Sequence, residues 1–554
     1  MKSVPVIVGV AGCLLAVAMV LSPVTLAALI VLALITGAAS RGLAGVERRF
    51  VLYMLIVAIA LRVAAIAVLF LSSDPNHLVS FPFDGDGLFI KLRSLWIRDV
   101  WLGVSINPND FSMAFGEYGW TSYIYLLAYL QYLLGPAPYA VHLVSVCFFV
   151  AAAVLLHRFA RMSFGPIPAA FAFVVTLSLP TVFMWSISAM KESWYLLLTT
   201  VTLVGFERVV RGVGATSRFV ALAAVVVSAM ILDTTRTGGL VILTVAFVLA
   251  LVGTFLTRRL HVLVVALLLT VPVAGVVLEQ PAVQERVMSQ LRTFAHQHIG
   301  HVRTDGQGYK VLEERFYSGD SIESMTWPEG RRFVRRAVIG FVLMPLPWQV
   351  VSRSEMLFIP EQLAWYGLVL LALIGVVRGC RGDVFATWLF IGMSFAGAAA
   401  IAPNEGNVGT LVRHRDTIVP FVICLSALGA FSLLSRAGVF AGEGGRGQIV
   451  SALLRRLDVI SRMWRDAAVF AAVERIRALE PSRRLRLLGT MLLIGSLMAG
   501  VLAPFGDHAW PSVFPWMVVI AVALAMIVGS RTLAAASQGE AATLEADERF
   551  AVTT

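Results

Sequence analysis

Apolar runs of membrane-spanning length recur along the whole chain, and short polar breaks rich in arginine separate them. The runs fall at 4–22, 24–40, 50–71, 137–157, 166–184, 192–207, 218–232, 237–256, 260–278, 359–377, 384–402, 418–435, 486–503 and 511–530. A bilayer core needs about 20 apolar residues per helix. The pattern therefore predicts an all-α polytopic membrane protein with about 14 transmembrane helices. Two further apolar segments, 120–135 and 336–348, are too short to span and break the charge alternation if they do. They are expected as amphipathic helices lying at, or dipping into, the outer face, where Trp120 and the tyrosines beside it suit an interface.

The breaks set the orientation. Arg41, Arg48 and Arg49, then Arg158 and Arg161, Arg208 and Arg211, Arg258 and Arg259, and Arg378 and Arg381 all fall on one side of this set of spans. Cytoplasmic loops collect Arg and Lys, so that side is the cytoplasm. Segments 72–136, 279–358 and 403–417 then lie outside, and none is long enough for an ordinary soluble domain. The expected organisation is an N-terminal hairpin over 1–49, a core over 50–435, a cytoplasmic segment over 436–485, and a C-terminal hairpin and tail over 486–554. In the cytoplasmic segment Leu453, Leu457, Ile460, Trp464 and Ala467 recur at helical spacing among arginines, the pattern of a basic amphipathic helix on a leaflet.

Composition agrees. The chain is 58% hydrophobic and 14% charged, where soluble chains are about a quarter charged. The net charge of +11 follows from cytoplasmic loops and calls for no nucleic-acid partner. Cys13, Cys147 and Cys424 sit in apolar runs and Cys380 beside Arg378 and Arg381, which is a set of free thiols and not a disulfide framework.

Candidate chemistry lies in the outer segments. FPFDGDGLFIKL (81–92) places Asp84 and Asp86 between and before glycines that permit tight turns. Such carboxylates can act as a general base or hold a divalent cation through oxygen; a solvated turn is the plain alternative. Lys191 and Glu192 stand at the outer mouth of a span, as a site pair or an interfacial ion pair. Arg236 lies in a tight Thr- and Gly-rich hairpin, LDTTRTGG, and Arg is well suited to phosphate. Arg413, His414 and Arg415, in GNVGTLVRHRD, gather positive charge on the outer side. An anionic substrate head explains that placement; contact with lipid headgroups, or with Glu405 and Asp416, is the alternative. If that loop is extended, Arg413 and Arg415 share a face and His414 points away. His296, His298 and His301, with Asp305 nearby, match no metal signature, so no metal site is expected there.

The order of these motifs resembles the GT-C superfamily of membrane glycosyltransferases, the group of the protein O-mannosyltransferases and lipid A aminoarabinose transferases. FDGDGLFI matches that group's acidic motif in the first large outer loop, although Leu88, Phe89 and Ile90 stand where a tyrosine is often found. The segment 120–135 matches the amphipathic helix that follows, LPTVFMWSISAMKES the Trp-Ser and Lys-Glu segment, and PLPW, PEQLAWY and GNVGTLVRHRD later segments of polysaccharide-cluster relatives. The resemblance covers roughly residues 50–435. It implies a GT-C-like fold and an inverting transfer of sugar from a polyprenyl-phosphate donor to a glycan or lipid hydroxyl, at the outer face of the cytoplasmic membrane. It further implies Asp84 or Asp86 as base, with Lys191, Glu192, Arg236, Arg413, His414 and Arg415 about the lipid phosphate. No cofactor is expected, and a divalent cation is compatible with the carboxylates.

Other classes read the features differently. A repeat-unit polymerase or ligase using a lipid-diphosphate donor also needs outer arginines but no acidic base. A transporter or flippase places its charges at mid-membrane. A non-catalytic scaffold makes no single outer charge essential. The topology itself is testable in a chain freed of its four cysteines. Asp86→Cys, Arg236→Cys and His414→Cys should react with an impermeant thiol reagent in intact cells, and Gly445→Cys should not; reaction at 445 would invert the map.

Overall fold

The structure is a computed structural model, and it describes residues 22–71, 85–117, 119–136, 139–236, 238–259, 268, 276–304, 307–319, 321–349, 356 and 358–437. Asp84, Asp305, Cys13, nearly all of the expected spans 4–22 and 260–278, and everything expected beyond 437 fall outside those residues.

Every regular element among the described residues is helical: α1 (Pro23–Ala39), α2 (Gly45–Leu71), α3 (Gly85–Trp101), α4 (Pro108–Phe115), α5 (Ser122–Leu134), α6 (Ala140–Phe164), α7 (Pro166–Ser178), α8 (Pro180–Ser186), α9 (Glu192–Arg211), α10 (Ala215–Thr235), α11 (Gly239–Thr257), α12 (Pro281–Val302), α13 (Trp327–Leu343), α14 (Ile359–Gly379), α15 (Val384–Ile401), α16 (Val408–Arg415) and α17 (Val419–Arg436). The chain is an all-α polytopic membrane protein. Among the described residues, seven helices are long and apolar enough to cross a membrane: α2, α6, α10, α11, α14, α15 and α17. In a bilayer only helices and closed barrels satisfy their own backbone, which is why the runs fold this way.

The span expected over 24–40 is α1, which at 17 residues is shorter than the seven, and two further expected spans take another form. The run at 166–184 is two helices, α7 and α8, bent by 64°. The cause is Pro180, which has no N–H to donate and forces Leu179 out of the helical region (φ −60°, ψ 123°). At the bend Thr181 N donates to Glu361 Oε2 (2.9 Å), and the carbonyl of Leu177, four residues before it, accepts from Arg62 Nη2 of α2 at 3.0 Å. Arg62 is fully buried: Nε donates to Ser186 Oγ (2.7 Å), Nη1 to Ala58 O (3.2 Å), and the rings of Phe149 and Phe183 flank it. The second case is α9, expected as a span over 192–207. It carries Glu192, Glu207, Arg208 and Arg211 and is absent from the seven apolar helices. Packing between α6 and α10 shelters its polar side chains, and Thr199 and Thr202 donate back to the carbonyls of Tyr195 and Leu198 (2.8 and 2.7 Å).

Lipid-facing helices gain little from hydrophobic burial against each other, so close packing of small residues holds them. On α14 and α17 this is reciprocal. A Cβ on Gly375 would lie 1.9 Å from Leu425 O, and one on Gly429 would lie 1.9 Å from Leu371 O. On α15, a Cβ on Gly392 would meet Ala246 O of α11 at 2.6 Å.

One end of the bundle carries an added layer. There α5 lies on α3, with Gln131 Nε2 donating to Ser94 Oγ (2.7 Å) and Trp101 packing against Tyr129 and Tyr132. Thr121 caps α5 and donates to Thr235 O (2.9 Å), which ties this layer to the end of α10. On the same end α12 and α13 pack together, and Tyr309 N donates to Gly406 O (2.8 Å) beside the start of α16.

Gly375→Ala and Gly429→Ala should each push α14 and α17 apart and cost about 1–3 kcal/mol. Gly367→Ala, on the same helix α14 but facing open space, should be nearly neutral. Thermal unfolding in detergent separates these outcomes; three equal midpoints would contradict the close crossing.

Candidate functional site

Residues far apart in the sequence meet at the end of the bundle that carries α3 and α16. Asp86, in the first turn of α3, accepts from Arg413 Nη1 at 2.7 Å across 327 residues of chain. Arg413 Nε lies 3.5 Å from Glu192 Oε1 at the start of α9. Its guanidinium stands 5.9 Å from the Trp185 ring of α8. The bend at Pro180 and the turn at 187–191 deliver Trp185, Lys191 and Glu192 to this point.

The segment 403–417, expected as a loop, contains the helix α16. Asn407 caps it, its Oδ1 accepting from Gly409 N and Thr410 N (2.8 and 3.4 Å). This changes which side chains share a face. In an extended strand i and i+2 agree, but on a helix they stand about 200° apart. Arg413 therefore faces Asp86, and Arg415 faces the core. There Arg415 Nη1 donates to Met344 O (3.1 Å) and Phe341 O (3.4 Å), and Nη2 to Gln362 Oε1 (2.9 Å). Those carbonyls end α13, so Arg415 serves as that helix's C-terminal partner and is not brought to the cluster. Beside it, burial and the neighbouring Glu361 hold the Asp416 carboxyl well above the usual carboxylate range.

His414 does not point away from the cluster. Arg413 Nη2 lies 3.4 Å from His414 Nε2, and His414 Nδ1 meets Glu405 Oε1 at 2.5 Å. A guanidinium only donates, so Nε2 accepts and the proton sits on Nδ1, directed at Glu405. Burial and the nearby Arg236 pull the His414 pKa down to about 4, against the pull of Glu405. Glu405 itself is 1% exposed. Burial disfavours its charge, but His414 and His301 outweigh that and hold it well below the usual range. His301 Nδ1 lies 3.2 Å from Glu405 Oε2 and 2.9 Å from Asn404 O. Its pKa is raised, chiefly by its bond to Glu405.

Lys191 and Arg236 complete the cluster. Lys191 Nζ donates to Thr235 O at 3.2 Å, and Arg236 lies 5.8 Å from the Tyr195 ring. Neither has a carboxylate partner among the described residues. Burial lowers the Lys191 pKa, Glu192 opposes that, and Arg236 and Arg413 add to it. Burial likewise works against the charge on Arg413, but Glu192, Asp86 and Glu405 more than offset it and raise its pKa. The cluster sets three cations (Lys191, Arg236, Arg413) against three carboxylates (Asp86, Glu192 and, behind His414, Glu405). It suits an anion close to an exposed carboxylate, since Asp86 is 67% exposed at its side chain and Glu192 only 8%.

Five of the expected site residues thus gather: Asp86, Lys191, Glu192, Arg236 and Arg413, with His414 against Arg413. Glu405 and Trp185 were not singled out as site residues. Glu405, read from the sequence as an alternative contact of this basic group, does meet His414 nine residues on, and α12 adds His301. Among the described residues the three histidines reach different partners. His298 Nδ1 donates to Glu405 O (2.7 Å) and Nε2 accepts from Tyr317 (2.9 Å), while His296 lies 3.7 Å from Glu323.

No protein-family model and no curated protein matches the chain. Among solved structures it is similar to ArnT from Cupriavidus metallidurans in the apo state, at 15% identity and TM-score 0.38. It is similar to the same protein bound to undecaprenyl phosphate, at 16% identity and TM-score 0.39. Each match covers 85% of this chain and 75% of the other. Likeness this loose carries no functional assignment.

Arg415→Ala should act on stability. It leaves buried acceptors at the end of α13 unpaired, at about 1–3 kcal/mol each, so the thermal midpoint in detergent should fall clearly. A midpoint equal to wild type would mean that Arg415 is free for another role.

Proposed function

We propose that the chain is a GT-C-type membrane glycosyltransferase. It transfers a sugar from a polyprenyl-phosphate-linked donor to a hydroxyl acceptor at the outer face of the cytoplasmic membrane, in the assembly of cell-envelope glycan. The observation that supports this best is the meeting of Asp86 with Arg413 across 327 residues, in a cluster that also takes in Lys191 and Arg236. An exposed carboxylate beside several cations, near the ends of long apolar helices, is what this transfer requires. The donor's tail stays in lipid while its phosphate reaches the cations.

In the proposed reaction Asp86 takes the proton of the acceptor hydroxyl as its oxygen attacks the anomeric carbon. The bond from that carbon to the phosphate oxygen breaks, and the lipid phosphate leaves with the electron pair. Attack opposite the leaving group inverts the centre. Negative charge grows on the phosphate as the bond breaks, and preorganised cations stabilise it more than they stabilise the ground state. Arg413 offers paired N–H donors, while Lys191 and Arg236 contribute charge from the turn regions at the starts of α9 and α11. Polyprenyl-phosphate donor, membrane lipid and a glycan or lipid acceptor are the partners of this reading. It needs no cofactor, because the cations supply what a divalent ion supplies in related chemistry.

Asp86→Asn keeps the size of the side chain and removes its basicity. Transfer in a reconstituted assay should fall by about 10²–10⁴-fold, with the protein still reaching the membrane. Arg413→Lys should weaken donor use by about 1–3 kcal/mol, because a point charge replaces a planar fork. Wild-type turnover in Asp86→Asn would move the base to Asp84, and wild-type turnover in both Asp84→Asn and Asp86→Asn would contradict the base mechanism and favour a lipid-diphosphate polymerase or ligase.

A further inference from the structure

In the structure the candidate base and the candidate phosphate ligand are bonded to each other. Arg413 holds one oxygen of Asp86, Oδ2, at 2.7 Å and keeps the carboxylate turned toward itself, with the second oxygen open. We propose that Arg413 is a shared partner: its Nη1 exchanges Asp86 for the phosphate of a polyprenyl phosphate, so the carboxylate is released to turn toward the acceptor once the donor is in place. This rests on the function proposed above and adds an order to it, donor before acceptor.

The geometry makes the exchange one-sided. Three contacts hold the guanidinium without any help from Asp86: Glu192 Oε1 at 3.5 Å from Nε, His414 Nε2 at 3.4 Å from Nη2, and the Trp185 ring at 5.9 Å. Glu192 and His414 are themselves sheltered, at 8% and 15% exposure of the side chain. Asp86 is the exposed member, and exposed single-point ion pairs hold weakly. A phosphate brings several acceptor oxygens, and Lys191 and Arg236 stand nearby with no carboxylate of their own among the described residues. Phosphate therefore outcompetes Asp86 for Nη1, while the other contacts keep Arg413 where it is.

Glu405 is then a positioning residue, acting through His414. The carboxylate fixes the proton on Nδ1 and so leaves Nε2 as an acceptor for Arg413. Glu405→Gln brings an amide that can donate to Nδ1 and move the proton to Nε2. There it would face the N–H of Arg413, and the anchor would become a clash.

The test is carboxylate footprinting. Full-length protein in phosphatidylcholine vesicles is amidated with a carbodiimide and glycine ethyl ester, and Asp86 is read by peptide mass spectrometry. The arms contain undecaprenyl phosphate, undecaprenol, or inorganic phosphate at the same concentration. Undecaprenyl phosphate should raise amidation of Asp86 by about two- to fivefold, the range an exposed ion pair holds back, and the other two should not. Arg413→Gln should start at the high level and not respond. Glu405→Gln should need about tenfold more undecaprenyl phosphate for half the response, the loss of one charge-assisted anchor. Native mass spectrometry of the same samples counts bound lipid phosphate. Bound lipid with unchanged or reduced amidation overturns the exchange and leaves the proposed transfer standing. An equal response to inorganic phosphate overturns the lipid as its source. Absence of bound lipid phosphate at any concentration removes both the exchange and the transfer. Glu405→Gln responding like wild type overturns the positioning role alone.

Discussion

The bond between Asp86 and Arg413 is the contact on which the site depends. It joins the start of α3 to the last turn of α16, and it does so where α8 and α9 have just brought Trp185 and Glu192. An exposed ion pair contributes little stability by itself. Its worth lies in what fixes Arg413 from behind. Buried carboxylates are costly unless paired and hydrogen-bonded. Glu405 meets that demand through His414 and His301, and in doing so pins α16 to α12. Arg415 continues the pinning on the opposite face, where it closes the end of α13. The same short helix thus spends one arginine on the fold and presents the other to the site.

The membrane core has a parallel economy. Glycines at the α14–α17 crossing let two backbones touch, and Arg62 takes the Leu177 carbonyl that the bend leaves open. The bend between α7 and α8 is what turns Trp185, Lys191 and Glu192 inward. A straight helix through 166–184 would leave those residues elsewhere, so the buried Arg62 bears on the site from within α2, although it touches none of it.

Much of this was legible in the sequence because the bilayer imposes a strong period. The expected spans at 137–157, 218–232, 237–256, 359–377, 384–402 and 418–435 each fall on a helix of nearly the same bounds. Arg236 and Arg413 stand out in the sequence because the charge alternation assigns them to the side where structural arginines are disfavoured. What escaped notice is tertiary. Eight residues of α16 are too few to show a hydrophobic period, so the segment read as a loop and Arg415 was paired with Arg413. Glu405 has a partner within its own segment, His414, but its second, His301, comes only with the approach of α12. Arg62 stood in plain view as a lone charge in an apolar run; what it bonds depended on a bend that composition does not specify.

A double-mutant cycle on undecaprenyl phosphate affinity tests the central claim, that Asp86 and Arg413 share one site. The variants are Asp86→Asn, Arg413→Gln and the two combined, each with thermal stability measured alongside. The account predicts that Asp86→Asn tightens lipid-phosphate binding when Arg413 is present, because a competitor for Nη1 is gone, and changes it little when Arg413 is absent. The coupling should therefore be clearly non-zero, as for residues in direct contact. Strict additivity of the two substitutions would place Asp86 and Arg413 in separate environments and contradict the site.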